Sequence, residues 1–214
     1  MTWDYNRLKA EVTKFAMRGG DTEYEDTVPT FISLGESALN RELPLRVMEV
    51  DTPLIGATGS RLIPLPADFV EPFALHLTTY GEPRCVRPGV AGQMKVRSSN
   101  SEPTEWAING TNIELNAPCD QNHSFTFRYR KSFALSDAEP TNWLLTHYPD
   151  AYLAAALVWG GVFMRDTAEA APWKAILDDA IAKIGWLEAR SIAVAPLTAD
   201  PALAGRGGFN IYTG

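Results

Sequence analysis

The stretch PDAYLAAALVWGGVFMRD, residues 149–166, decides the fold. No charge interrupts it between Asp150 and Arg165, so as a helix it is apolar on every side. A membrane-crossing helix needs roughly 20 apolar residues to traverse about 30 Å of hydrocarbon, and this segment covers only about 21 Å. The reading is a helix buried by protein, either wholly within its own domain or partly against a neighbouring subunit, with no membrane partner.

Working outward, the next helix is amphipathic. Trp173, Ile176, Leu177, Ala180, Ile181, Ile184 and Leu187 form one apolar stripe, with Lys174, Asp178, Asp179 and Lys183 off it. Asp166 followed by Glu169 is a reciprocal capping signature at its start. Upstream, Trp143-Leu144-Leu145 predicts a short turn or helix leading into 149–166. At the other end of the chain, Tyr5, Leu8, Val12 and Phe15 recur at helical spacing, and Arg18-Gly19-Gly20 supplies a stop. The acidic stretch DTEYEDT reads as a linker to a second helix that starts at Thr27 or Val28, with Pro29 in its first turn, and ends before Pro44.

Between Arg46 and Ser132 the period changes to two. RVMEV, RLIPL, FALHLTT, PRCVRP, EWAIN, NIELN and SFTFRYR are short alternating or β-branched runs separated by turn residues. NGTN, residues 109–112, marks a hairpin because Asn and Gly both tolerate positive φ. Residues 89–103 predict a short helix followed by a surface loop. The cationic run FRYRKS, residues 127–132, reads as a solvated strand face. The fold class is therefore α+β. A four-helix bundle built from residues 1–44 and 133–192 carries an inserted antiparallel β-rich domain, a sandwich or open barrel, over 45–132. Residues 193–214 are rich in Pro, Ala and Gly, have no period, and read as an extended C-terminal arm.

Four residues stand out as interface candidates. Gly160 and Gly161 each cost about 1 kcal/mol of helix propensity, which makes sense where a neighbouring helix or ring comes close. Phe209 and Tyr212 are aromatic anchors in an arm that cannot bury them by folding on itself.

Chemistry is scarce. The 214-residue chain has a net charge of -7 and a pI near 5.0, which argues against a broad phosphate-binding surface. Cys85 and Cys119, with His76, His123 and His147, share no metal-ligand spacing, so neither a metal site nor a cofactor is expected. No phosphate-cradling glycine loop or nucleophile elbow is complete. Asp68, Glu71, Glu102, Glu105 and Glu114 are the carboxylates that would have to converge for acid–base work. Without such convergence no catalytic residue is assigned, and a glycan-binding or hydrolase module stays a minor alternative. The N-terminus lacks a basic cap followed by an apolar run, so a product kept in a cytoplasm, or in a particle assembled there, is expected.

Several segments in fixed order resemble the adaptor, or head-to-tail connector, proteins of short-tailed bacteriophages. They are FISLGESALNREL with Glu36 and Asn40-Arg41, LIPLPADFVEPFAL, WAINGTNIELNAP, and FRYRKSFALSDAEPTNWLLTHYPDAYLAAAL. The similarity runs from about Tyr5 to Leu187, and the Gly160–Gly161 pair departs from it. The resemblance implies a virion structural protein that forms a ring, typically dodecameric, between the portal protein and a tail nozzle or tube protein. DNA would pass through without sequence-specific binding. It implies no catalytic residues, and another neck component, a stopper or tube-terminator, is the nearest alternative.

Overall fold

A computed structural model of the chain describes residues 2–43 and 45–192. Helix α1 (Tyr5–Phe15) starts where the Asp4 side chain accepts a hydrogen bond from the Arg7 N–H at 2.7 Å, and it buries Tyr5, Leu8 and Val12. Helix α2 (Thr22–Glu42) begins five residues or more before the sequence expectation. The supposed linker is its first two turns. Asp21 caps it by accepting from the Tyr24 N–H, Glu23 and Glu25 sit where the helix dipole favours anions, and Tyr24 is drawn into the core. Pro29 thus lies inside the helix rather than at its start.

Seven strands follow. They are β1 (Glu49–Gly56), β2 (Leu62–Pro64), β3 (Phe69–Leu77), β4 (Arg84–Pro88), β5 (Glu105–Asn109), β6 (Asn112–Leu115) and β7 (His123–Lys131). They form one sheet in the order β1-β7-β3-β4-β5-β6-β2, curled until β1 meets β2, so it is nearly a closed barrel. The outer strands carry Pro53 and Pro64, residues with no N–H to offer. The Asn109–Asn112 hairpin turns through Gly110 at a φ of 59°. One pair departs from the antiparallel expectation. β4 and β5 run parallel, because residues 89–104 cross over between them. That crossover holds turns and no helix, its backbone tied to the barrel by Arg97 N–H on the Asn116 carbonyl and Ser101 N–H on that of Pro118, both 2.8 Å.

Helices α3 (Trp143–His147), α4 (Pro149–Phe163) and α5 (Thr167–Ile192) complete the described chain. α4 is the segment that opened the sequence reading. It is buried without a break from Ala151 to Leu157 and again at Gly160 and Gly161, while Val162 and Phe163 emerge at its end. The four-helix bundle is not confirmed. α4 is a hub packed by α1, α2, α3 and α5, and α5 lies mainly on α4, meeting the end of α1 where Trp173 reaches Phe15. Asp166 caps α5, accepting from the N–H groups of Ala168 at 3.0 Å and Glu169 at 3.1 Å. With 26 residues against 15, α5 is about 39 Å long to α4's 22 Å or so, and therefore overhangs it.

The buried apolar residues fall into two clusters, one among the helices and one inside the curled sheet. Leu43, Leu45 and Met48 on the way into the sheet, and Phe133 and Leu135 on the way out, belong to the helical cluster. Asn40 fixes the outward crossing from both sides. Its Oδ1 accepts the Phe133 N–H at 3.0 Å and its amide donates to the Phe133 carbonyl at 2.9 Å.

The glycines of α4 have definite partners. A Cβ on Gly160 would overlap the Tyr24 hydroxyl, and one on Gly161 would stand 2.9 Å from the Ala170 Cβ and 3.1 Å from the Ala170 backbone. Relieving the Gly161 propensity cost returns about 1 kcal/mol, whereas overpacking against a helix backbone costs about 1–3 kcal/mol, more for a long side chain. Gly161→Leu should therefore lower the melting temperature by several degrees, measured by calorimetry. An unchanged or higher value would mean that α5 does not press on α4 there.

Candidate interaction surface

The carboxylates that might have converged are dispersed, each with its own partner. Asp68 accepts from the Tyr129 hydroxyl at 2.7 Å, Glu71 pairs with Arg130 at 2.8 Å, and Glu102 pairs with Arg84 at 2.6 Å. Glu105 pairs with Arg87 at 3.4 Å, and Glu114 with Arg61. The cationic strand face is likewise ion-paired, Arg128 meeting Glu49 at 2.8 Å. Among the described residues no group of three His, Cys, Asp or Glu side chains could hold a metal ion.

Two polar constellations were missed in the sequence. At the start of β7, buried His123 lies between the Thr79 hydroxyl at 3.1 Å and the Asp120 carboxylate at 2.8 Å. Its order mimics a nucleophile, base and acid. However, Thr79 Oγ1 is taken up by the Ser124 N–H at 2.9 Å, and the rings of Tyr80 and Phe125 stand edge-on to the imidazole. The arrangement joins the β3 end to β7.

The second constellation is inside the helices. Asn142 caps α3 through its Oδ1, accepting from Leu145 N–H at 2.8 Å, and donates its amide to the Tyr152 hydroxyl at 2.6 Å. That hydroxyl donates to Glu36 Oε1 at 3.1 Å. Glu36 is only 6% exposed. Burial pushes its carboxyl up from 4.5 to about 7, against the opposing pull of hydrogen bonds from Tyr152 and the Leu135 backbone. One chain of hydrogen bonds thus links α2, α4 and the α3 cap. The signal was present: Glu36 shares a helical face with Ile32 and Leu39, a carboxylate on an apolar stripe.

The native state holds a proton on Glu36 more tightly than the unfolded chain between about pH 4.5 and 7. Its contribution to stability therefore falls as pH rises through that window. By linkage the loss approaches roughly 3 kcal/mol above pH 7. Glu36→Gln should match the parent near pH 4.5 and melt higher at pH 8. Parallel melting curves for the two proteins across this range would show that the carboxyl is not penalised by burial.

The surface that remains is apolar and helical. A groove of about 340 Å³ opens between the end of α1 and the first turns of α5. Leu157, Gly160 and Gly161 form its floor, and Phe15 and Trp173 meet edge-to-face beside it at 5.8 Å. Arg18 and Glu169 supply charges of opposite sign in its lining. Farther along α5, Trp186 is 59% exposed with the Arg190 guanidinium over its ring at 5.3 Å, and Leu187 is exposed beside it. Of the sequence candidates, Gly160 and Gly161 thus contribute to the groove while meeting Tyr24 and Ala170 of their own chain. Phe209 and Tyr212, with the rest of the expected arm, lie outside the described residues. No described helix is long and apolar enough to cross a membrane.

Comparison with known proteins gives one family. The family model of the SU10 adaptor protein matches residues 3–200, farther toward the C-terminus than the resemblance read from the sequence. No curated protein matches the chain.

Proposed function

Because the chain belongs to the SU10 adaptor protein family, a family of phage virion components, we propose that it is the ring-forming adaptor between portal and tail. The match over residues 3–200 carries this reading. In it, copies of the chain close into a ring, most simply a dodecamer, below the portal protein. The opposite side of the ring receives the tail nozzle or tube protein. The helical residues 1–44 and 133–192 act as one lobe and the β-rich residues 45–132 as the other.

The shared burial of both crossings supports the reading, because a coupling ring must transmit position from one end to the other. The net charge of -7 supports a lumen that repels DNA and so lets it slide without sequence-specific binding. Residues 193–214, with Phe209 and Tyr212, dock as an arm on a neighbouring protein, and Gly160 and Gly161 back the helical face used in assembly.

Electron microscopy of the purified protein with and without portal rings tests the reading. The expected result is a ring stacked on the portal with acidic lumen residues. A hexamer or a plugged channel would move the protein to a stopper or tube-terminating role. Deleting residues 196–214 should leave the monomer's melting temperature unchanged while weakening its capture by portal rings, scored by co-sedimentation. Undiminished capture would remove the docking role of the arm.

A further inference from the structure

The groove and the exposed Trp186 are two halves of one contact. We propose that Trp186 of one copy inserts into the α1–α4–α5 groove of a second copy, with Arg190 meeting Glu169 at the rim; this rests on the ring reading above.

The geometry first excludes self-insertion. Ile176, the groove residue farthest along α5, lies ten residues before Trp186 on the same straight helix, a separation of about 15 Å at 1.5 Å per residue. Only another molecule's groove can receive the ring. Trp186 also lies near the end of α5, beyond the length that α4 can cover, and is 59% exposed among the described residues. The neighbouring Gly185 is consistent with this. Among the described residues an added Cβ there would meet nothing within 4 Å. A glycine in an exposed helix interior still costs about 1 kcal/mol.

The chemistry of the two halves matches. The groove has an apolar floor and aromatic flank, and its volume of about 340 Å³ accommodates an indole. Its lining carries Glu169 as well as Arg18, and of these the anion is the one that can pair with Arg190, the cation carried over the projecting ring. Tryptophan and arginine anchors in a desolvated pocket are the usual centre of a tight interface.

The symmetry also follows. Knob and groove are different surfaces of one molecule, so copies joined one knob to one groove are related head-to-tail, whereas a two-fold pair would have to exchange both knobs at once. Head-to-tail contacts propagate, and a propagating contact closes a ring when its rotation divides a full turn. The second copy is therefore the occupant that a coupling ring requires.

Cysteine pairing of the full chain in a Cys85→Ser background gives the test. Trp186→Cys mixed with Ala168→Cys should form disulfide-linked dimers under oxidation, while neither variant does so alone. In sedimentation, Trp186→Glu should raise the concentration for half-assembly by about thirtyfold or more, a hot-spot effect, with its melting temperature unchanged. Three results would overturn the inference and leave the ring intact. They are cross-linking of Trp186→Cys with itself, parental assembly by Trp186→Glu, or selective cross-linking of Ala168→Cys to Phe209→Cys, which would place the arm in the groove. A parent chain that stays monomeric at every concentration, alone and with portal rings, would remove the ring reading and this contact together.

Discussion

A helix with no polar side must be wrapped, and α4 sets that condition for the helical half of the protein. Its run of Ala151, Ala154, Ala155 and Ala156 gives small surfaces on every side, so neighbours approach closely. Gly35 on α2 lets that helix come down on Ala155, where an added Cβ would stand 3.0 Å from the alanine's own Cβ. Tyr24 then reaches over Gly160 from the same helix, and Ala170 sits against Gly161 from α5. The covering helices come from both ends of the chain. Burying α4 therefore brings the two ends together and leaves the strands to fold as an excursion between them.

Much of this was legible because it is local. The stripe of α1, the capping Asp166 and the Asn-Gly hairpin each announce themselves within a few residues. The apolar excess of 149–166 likewise says that other elements must cover it, without saying which. Pro29 misled for a physical reason. Proline is best tolerated in a first turn, but a helix already capped by Asp21 and anchored by Tyr24 can carry one in its interior. The closed bundle was a plausible way to bury four stripes. How far α5 runs along α1 depends on crossing geometry, which periodicity does not encode. The parallel β4–β5 pair was equally hidden, since it depends on where the 89–104 crossover lands.

Of the candidate surface, the sequence showed the glycines but not the groove they help floor. Gly160 and Gly161 are conspicuous in any helix, yet the opposing Phe15 and Trp173 belong to distant segments. Trp186 was overlooked because it lies off the buried stripe of α5, on the face turned away from Ile184, which is buried two residues before it. Glu36 and Asn40 show the complementary case. Asn40 looks like an ordinary polar residue of a surface helix yet holds the backbone of Phe133, and Glu36, a carboxylate on an apolar stripe, lies buried beneath Tyr152. Between them they fix how the strand lobe leaves the helices, so the junction is a packed joint and not a loose tether.

The curled sheet has its own consequence for how copies meet. Its outermost strands face each other across the seam, one carrying Pro53 in its middle and the other, only three residues long, ending at Pro64. A newcomer finds no long row of free backbone donors against which to lay a strand. Runaway stacking through main-chain pairing is thereby discouraged, even where many molecules crowd together before a particle is finished. Any contact this lobe makes is left to side chains, whose shape and charge can choose one orientation.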